Sequence, residues 1–372
     1  MKDKTKLFFG KNPYSAKDDG AFLRAVRENV RFHAEHNPKY AQILEHCEFS
    51  LDELTDEADL YKIPVLPTLY FKRNELFTVP KEKLVLEATS SGTKGQKSVV
   101  GFDRQSMLYG VGAAARLFAY HGMISALATN YIVLGFEPDG RLGLGAAKTA
   151  YGVTKFAPAL HRVYALKKTE HGHAENREGV LDALLRYEKQ GLPVRLVGFP
   201  AYLHILMIEL RRRDISLRLH GRSMVILGGG WKQFSGEAID NDSLFALVRE
   251  TLGIARENCL EFFSAAEHPL PYCKCKNGCF HAPVYSRVIV RDAETLLPVP
   301  NGTPGILSFV SPLVTSMPLV SVMTDDIAVL HGGGGCGCGI QTPCFELLGR
   351  ANARGVHTCA ATAAELTGGK RT

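Results

Sequence analysis

Apolar positions along the chain change period several times, and each change predicts an element. Residues 20–47 place Phe22, Val26, Val30 and Phe32 near one face at helical spacing, which predicts a helix. The segment from Ile63 to Phe71 is apolar but interrupted by Pro64 and Pro67, so it reads as an extended connection. Residues 103–121 return to a helical pattern, and Tyr131–Phe136 is a short apolar run of the kind that forms a buried strand. Helical patterns over 177–190, 201–213 and 242–252 alternate with a strand-then-turn stretch at Val194–Pro200 and apolar runs at Ser223–Leu227 and residues 259–263. Short apolar strands that alternate with helices imply a parallel α/β sheet.

From residue 270 the pattern becomes one of short strands divided by turns: Val284 to Val290, Gly305 to Val310 and Ile327 to Leu330. This predicts a smaller, more antiparallel, β-rich part over about 270–349. Gly332–Gly335 marks a turn. No internal repeat is visible.

At 372 residues, one large α/β body or two domains are both open. Apolar residues make up 45% and charged residues 22%, an ordinary globular balance. The formal charge of +6 comes without a basic run or a basic–aromatic stripe. It suits an anionic small molecule at least as well as nucleic acid, which is not expected as a partner. No window approaches the roughly 18 uninterrupted apolar residues of a membrane helix, and no signal peptide is evident, so no membrane and a cytoplasmic location are expected.

Four stretches carry candidate chemistry. Glu87–Ser98 holds Ser90, Ser91, Gly92, Thr93, Lys94 and Gly95. Glycines let backbone N–H groups converge on an anion, hydroxyls add donors, and lysine adds charge, as a triphosphate requires. The stretch does not fit the Walker spacing, and a solvated Ser/Gly turn would look similar. Gly228, Gly229 and Gly230 close an apolar strand, where a flat ring or phosphate can approach the backbone; a tight turn needs the same residues. Glu267, after Phe262 and Phe263, is placed to hold Mg²⁺ beside a phosphate, although most such glutamates cap helices or face solvent. Asp326, in Thr324-Asp325-Asp326, offers acceptors for ribose hydroxyls, and Arg350 offers a fork of donors; singly, both read as surface charges.

The order of these stretches resembles that of the adenylate-forming superfamily of acyl-CoA synthetases, adenylation domains and luciferases. Within it, His36-Asn37-Pro38, Ile63–Pro67 with Phe71-Lys72, Ile226–Lys232 and Glu267–Tyr272 make the chain similar to the acyl-protein synthetase of the bacterial bioluminescence fatty acid reductase complex. Around Cys275–His281 and Cys336–Arg350 it is also similar to phenylacetate–CoA ligases. The resemblance runs from about residue 20 to Cys359. It implies the large amino-terminal body of an adenylate-forming enzyme over 1–349, with a vestigial carboxyl-terminal tail over 350–372.

By position, the resemblance implies that Ser90–Gly95 wraps the phosphates of ATP, Gly228–Gly230 flanks adenine, Glu267 binds Mg²⁺ and Asp326 holds the ribose, with Arg350 nearby. The superfamily usually carries Thr-Gly-Asp where this chain has Thr324-Asp325-Asp326. It also usually adds a mobile domain with a catalytic lysine. Only 22 residues follow Arg350 here, so charge stabilisation falls to Lys94, Lys97 or Lys232. In the acyl-protein synthetases a cysteine near the end takes the acyl group, and Cys359, two residues from His357, stands in that place. The expected function is activation of a carboxylic acid, long-chain fatty by analogy, as acyl-AMP. Transfer to Cys359 and onward to a reductase or carrier protein follows. Direct transfer to CoA or a carrier, and a non-catalytic acyl- or nucleotide-binding subunit, are the alternatives. Tyr131, Phe136, Phe199 and Tyr202 either line an acid pocket or pack the core.

Eight of the nine cysteines lie beyond residue 258. An odd count reads as free thiols, metal ligands or a reactive thiol. Cys275, His281, Cys336 and Cys338 fall in two ligand-rich loops, as structural Zn²⁺ requires, although the C-x-C spacing is tighter than usual and unligated thiols remain the plain alternative.

Overall fold

The computed structural model describes residues 2–15, 20–89, 98–138, 145–231 and 239–351. The chain divides into two compact units, one made of residues 1–120 and 265–372 and the other of residues 121–264.

The first unit begins with helices α1 (Lys2–Phe9), α2 (Ala21–His36) and α3 (Pro38–His46). The single helix expected over 20–47 is therefore two. Pro38 occupies the first turn of α3, where its missing N–H costs nothing, and the Asn37 side chain accepts the Tyr40 N–H at 3.1 Å. A two-residue strand β1 (Leu66–Pro67) leads into helix α4 (Thr68–Arg73). The connection expected to be extended up to Phe71 thus turns helical at Thr68, just past the second proline. Strands β2 (Leu84–Thr89) and β3 (Val99–Asp103) pair antiparallel, and helix α5 (Arg104–Tyr120) follows.

The second unit carries the α/β alternation. In chain order it comprises β4 (Thr129–Phe136), α6 (Gly145–Val153), β5 (Ala159–Thr169), β6 (Gly172–Glu175), α7 (Arg177–Gln190), β7 (Val194–Gly198), α8 (Pro200–Arg212), β8 (Met224–Gly228), α9 (Asn241–Leu252) and β9 (Cys259–Ala265). These strands lie in the order β9-β8-β7-β4-β5-β6, parallel except for the β5–β6 pair. β4 is buried along nearly its whole length, as a sheet covered on both faces demands. Its core is aliphatic: Ile132, Leu184, Leu196, Leu203, Met207 and Val225 pack together. Tyr131 is buried and its hydroxyl accepts from Arg195 Nη1 at 3.4 Å, so it belongs to the packed interior. Gly191 and Gly253, both left-handed, end α7 and α9.

The chain then returns to the first unit with β10 (His268–Cys273), β11 (Phe280–His281), β12 (Arg287–Arg291), β13 (Pro304–Val310), β14 (Ser321–His331) and β15 (Cys344–Arg350). Five of these strands form an antiparallel sheet, β11-β15-β14-β13-β12, with β1 added parallel to β14. The β-rich part expected from residue 270 is present, although the strand expected from Val284 begins at Arg287.

Candidate functional site

Glu267 immediately precedes β10 and is only 4% exposed. Its Oε1 accepts a hydrogen bond from Ser98 Oγ at 2.5 Å. Ser98 is fully buried and stands at the foot of β3. Thr89 and Val99, which flank residues 90–98, are register partners. The serine that ends the Ser/Gly/Lys stretch is thereby tied to the candidate metal-binding carboxylate. Ser90, Ser91, Gly92, Thr93, Lys94 and Gly95, with Lys97, lie outside the described residues.

Burial pushes the Glu267 carboxyl above the usual carboxylate range; the Ser98 hydrogen bond and the Lys72 ammonium pull the other way, and Asp325 adds to the rise. An ionised carboxylate in this position is short of positive charge. A hard cation with oxygen ligands fits that donor and would relieve the cost of burial, so Mg²⁺ suits Glu267. The adjacent His268 is buried. Burial holds its imidazole down near about 3, it stacks on Phe309 at 4.4 Å, and it bonds to Tyr272 Oη at 2.7 Å.

Asp326 and Arg350 are register partners across β14 and β15, and their side chains pair at 3.3 Å. Asp326 is nearly buried while Arg350 is half-exposed, so the carboxylate is held from one side. The Thr324 hydroxyl accepts the Asp326 N–H at 3.2 Å. Asp325, where the superfamily usually has glycine, lies inside β14 and outside the left-handed region, so the position makes no demand for glycine.

In the second unit, Gly228–Gly230 ends β8 as the sequence suggests. Gly229 has φ +81°, and a Cβ there would meet Phe199 Cε1 at 2.6 Å. Both backbone and space exclude a side chain. Lys232 and Cys359 lie outside the described residues.

The Cys/His set does come together. Cys275, His281, Cys336 and Cys338 present four donor atoms that all lie within 4.8 Å of one another. Cys279, Cys336 and Cys344 form a second, three-thiol group beside it.

Residues 6–367 match the family model described as acyl-protein synthetase, LuxE. The chain belongs to this family. It is similar to the long-chain-fatty-acid–luciferin-component ligase of Vibrio harveyi, at 28% identity over 91% of this chain and 85% of that protein. It is also similar to the phenylacetate–coenzyme A ligase of Thermus thermophilus, at 25% identity over 85% of this chain and 67% of that one. Among solved structures, 2-hydroxyisobutyryl-CoA ligase bound to an acyl-adenylate superposes with a TM-score of 0.68 at 16% identity. It is covered over 69% of its length, with 91% of this chain matched. That likeness is one of fold: this acyl-protein synthetase has the body of the adenylate-forming ligases, as the sequence resemblance implied. It is an enzyme of the ligase class that activates an acid as acyl-AMP with ATP and transfers the acyl group.

Within the acyl-protein synthetase, sequence reasoning singled out Glu267, Asp326, Arg350 and the metal-type cluster. It assigned no role to Ser98, although the residue closes the candidate phosphate loop. Nothing in its own chemistry marks it; only the fold brings it to a residue 169 positions away. Among the described residues no helix is long and apolar enough to cross a membrane.

Proposed function

We propose that this acyl-protein synthetase activates a carboxylic acid, long-chain fatty in the first instance, and loads it onto its own Cys359. The carboxylate oxygen attacks the α-phosphorus of ATP, and the bond to pyrophosphate breaks. The Cys359 thiolate then attacks the acyl carbonyl; a thioester forms, AMP leaves, and the thiol proton passes to solvent. A partner thiol, on a reductase or carrier protein in the cytoplasm, receives the acyl group by thioester exchange.

The observation that supports the phosphate end of this reading is the hydrogen bond from Ser98, the residue that follows the candidate phosphate stretch in sequence, to the buried Glu267 carboxylate. Glu267 would hold Mg²⁺, which would neutralise the phosphates while the charge on pyrophosphate develops. Lys94 supplies further positive charge to the same phosphates. Asp326, oriented by Arg350, accepts from the ribose hydroxyls, and Gly228–Gly230 is the backbone stretch that flanks adenine, with the Phe199 ring beside Gly229.

The test is acid-dependent ATP–pyrophosphate exchange, followed by labelling with radioactive fatty acid. Wild type should exchange and become labelled. Cys359→Ser should exchange at an unchanged rate and carry no label. Label retained on that variant removes Cys359 from the scheme, and no exchange with any acid overturns the adenylation step. Acceleration of AMP release by free CoA would favour a direct acid–thiol ligase.

A further inference from the structure

The cysteine and histidine cluster lies outside the chemistry proposed above and stands on its own geometry. Cys275 sits in the loop between β10 and β11, and His281 ends β11. Cys336 and Cys338 sit in the turn between β14 and β15. Cys275 Sγ and Cys336 Sγ are 3.9 Å apart, and His281 Nε2 lies 3.1 Å from Cys336 Sγ and 3.2 Å from Cys338 Sγ. A tetrahedron with Zn–S bonds of ~2.3 Å and Zn–N bonds of ~2.0–2.1 Å has edges of roughly 3.8 Å between sulfurs and roughly 3.5 Å between sulfur and nitrogen. The Cys275–Cys336 distance meets the sulfur–sulfur edge, the two distances from His281 need to open by only a few tenths of an ångström, and the other three pairs lie within 4.8 Å.

The surroundings are those of a ligand set. His281 Nδ1 lies 3.0 Å from the Thr342 carbonyl oxygen, which can only accept. The ring proton therefore sits on Nδ1, and the Nε2 lone pair is turned on the three thiols, the arrangement that orients a metal-binding imidazole. The Ile340 N–H points at Cys338 Sγ at 3.4 Å, a donor that favours thiolate. Gly337 and Gly339, at φ +66° and +101°, bend the chain around both cysteines. Asn277 Nδ2 donates to the Cys336 carbonyl at 2.5 Å and ties the two loops together.

We propose that Cys275, His281, Cys336 and Cys338 form a structural zinc site that staples the β14–β15 turn to the β10–β11 loop. The turn needs such a staple. Six of the nine residues from Gly332 to Ile340 are glycine, so ordering it costs much entropy, and it has almost no apolar side chain to bury in return. Three thiolates and one neutral imidazole leave the zinc complex with one net negative charge. Lys274 and Lys276, on either side of Cys275, offset it. All four positions are filled by protein, so the ion is closed to substrate and acts on stability. Among the described residues the three-thiol group of Cys279, Cys336 and Cys344 has no fourth ligand in its set and is the weaker one.

Zinc content and cobalt spectra need no acyl transfer, so this proposal and the proposed reaction fail separately. The purified full chain should contain about one zinc per molecule, and cobalt(II) in its place should give the intense visible bands of tetrahedral sulfur ligation. Cys338→Ser should lose most of the zinc and unfold at lower temperature. Cys338→His, which keeps a ligand, should retain it, and Cys344→Ser should leave zinc content unchanged. If the variants do not fold, the zinc stoichiometry and cobalt spectrum of wild type still decide. Wild type free of zinc after growth in zinc-replete medium, or an octahedral cobalt spectrum, overturns the site. Loss of zinc from Cys344→Ser with retention in Cys338→Ser would also overturn it, by assigning the metal to the other thiols.

Discussion

The parallel sheet of the second unit and the antiparallel sheet of the first are built on opposite terms. The first of these is held by aliphatic side chains, and its polar features gather at strand ends such as Gly228–Gly230. The antiparallel sheet and its flanks bury groups that water would otherwise solvate. Arg291, Ser308, His281, Glu267 and Asp326 are all buried there or nearly so. Each such group must find a partner, because an unpaired buried polar group costs more than most apolar contacts return. Both regions bury apolar side chains, but the antiparallel one adds a set of buried polar atoms that must also meet.

The largest effect should come from opening the aliphatic core. Leu203 is fully buried in it. Leu203→Ala should cost about 2–5 kcal/mol in urea unfolding. A loss below ~1 kcal/mol would show that the region collapses around the gap and is not tightly packed.

Glu267→Gln sharpens the comparison from the other side. Acid-dependent pyrophosphate exchange should fall by about 10²–10³-fold, the size expected when one preorganised charge-stabilising group is lost. Its thermal midpoint should change little.

Arg291→Met addresses the polar region's stability. The guanidinium donates to Ser308 Oγ at 2.9 Å and to the carbonyls of Tyr61 and Leu296 at 3.1 and 2.8 Å. Burial lowers its pKa to about 10. Removing the donors should cost about 2 kcal/mol, because the acceptors stay buried. A neutral outcome in urea unfolding would show that the polar network is not what holds this sheet.

Gly229→Ala should cost about 1–2 kcal/mol, since a left-handed backbone and the Phe199 ring both oppose a Cβ. The smallest effect is one of pH. The folded pKa of Glu267 is raised, so the folded state holds its proton more tightly than the unfolded chain. That contribution to stability is present below the ordinary carboxylate range and is lost as pH rises through the raised value. Without magnesium, Glu267→Gln should abolish this slope in unfolding measured against pH; an unchanged slope would place the titration elsewhere.

The same contrast explains what could be read from the residues alone. Helices α7, α8 and α9 and strands β7 and β8 lie within a residue or two of the periods that predict them, because a covered parallel sheet writes its burial into local sequence. The break at Asn37-Pro38 and the helix from Thr68 depart from expectation where proline starts an element rather than ending one. The cysteine cluster was visible as composition, and Glu267, Asp326 and Arg350 as parts of an ordered series of stretches. The Ser98–Glu267 bond and the His281–Thr342 bond were not. Each joins residues distant in sequence, and one partner of each, Ser98 or Thr342, carries no periodic or compositional mark.

The central claim is that the Ser90–Gly95 stretch and Glu267 together grip the triphosphate and its metal. A crystal structure of the full chain grown with ATP and Mg²⁺ tests it most directly. The account predicts the metal on the Glu267 carboxylate, the phosphates against residues 90–97 and the ribose hydroxyls on Asp326. Nucleotide bound elsewhere, with Ser98 and Glu267 touching neither metal nor phosphate, would contradict it.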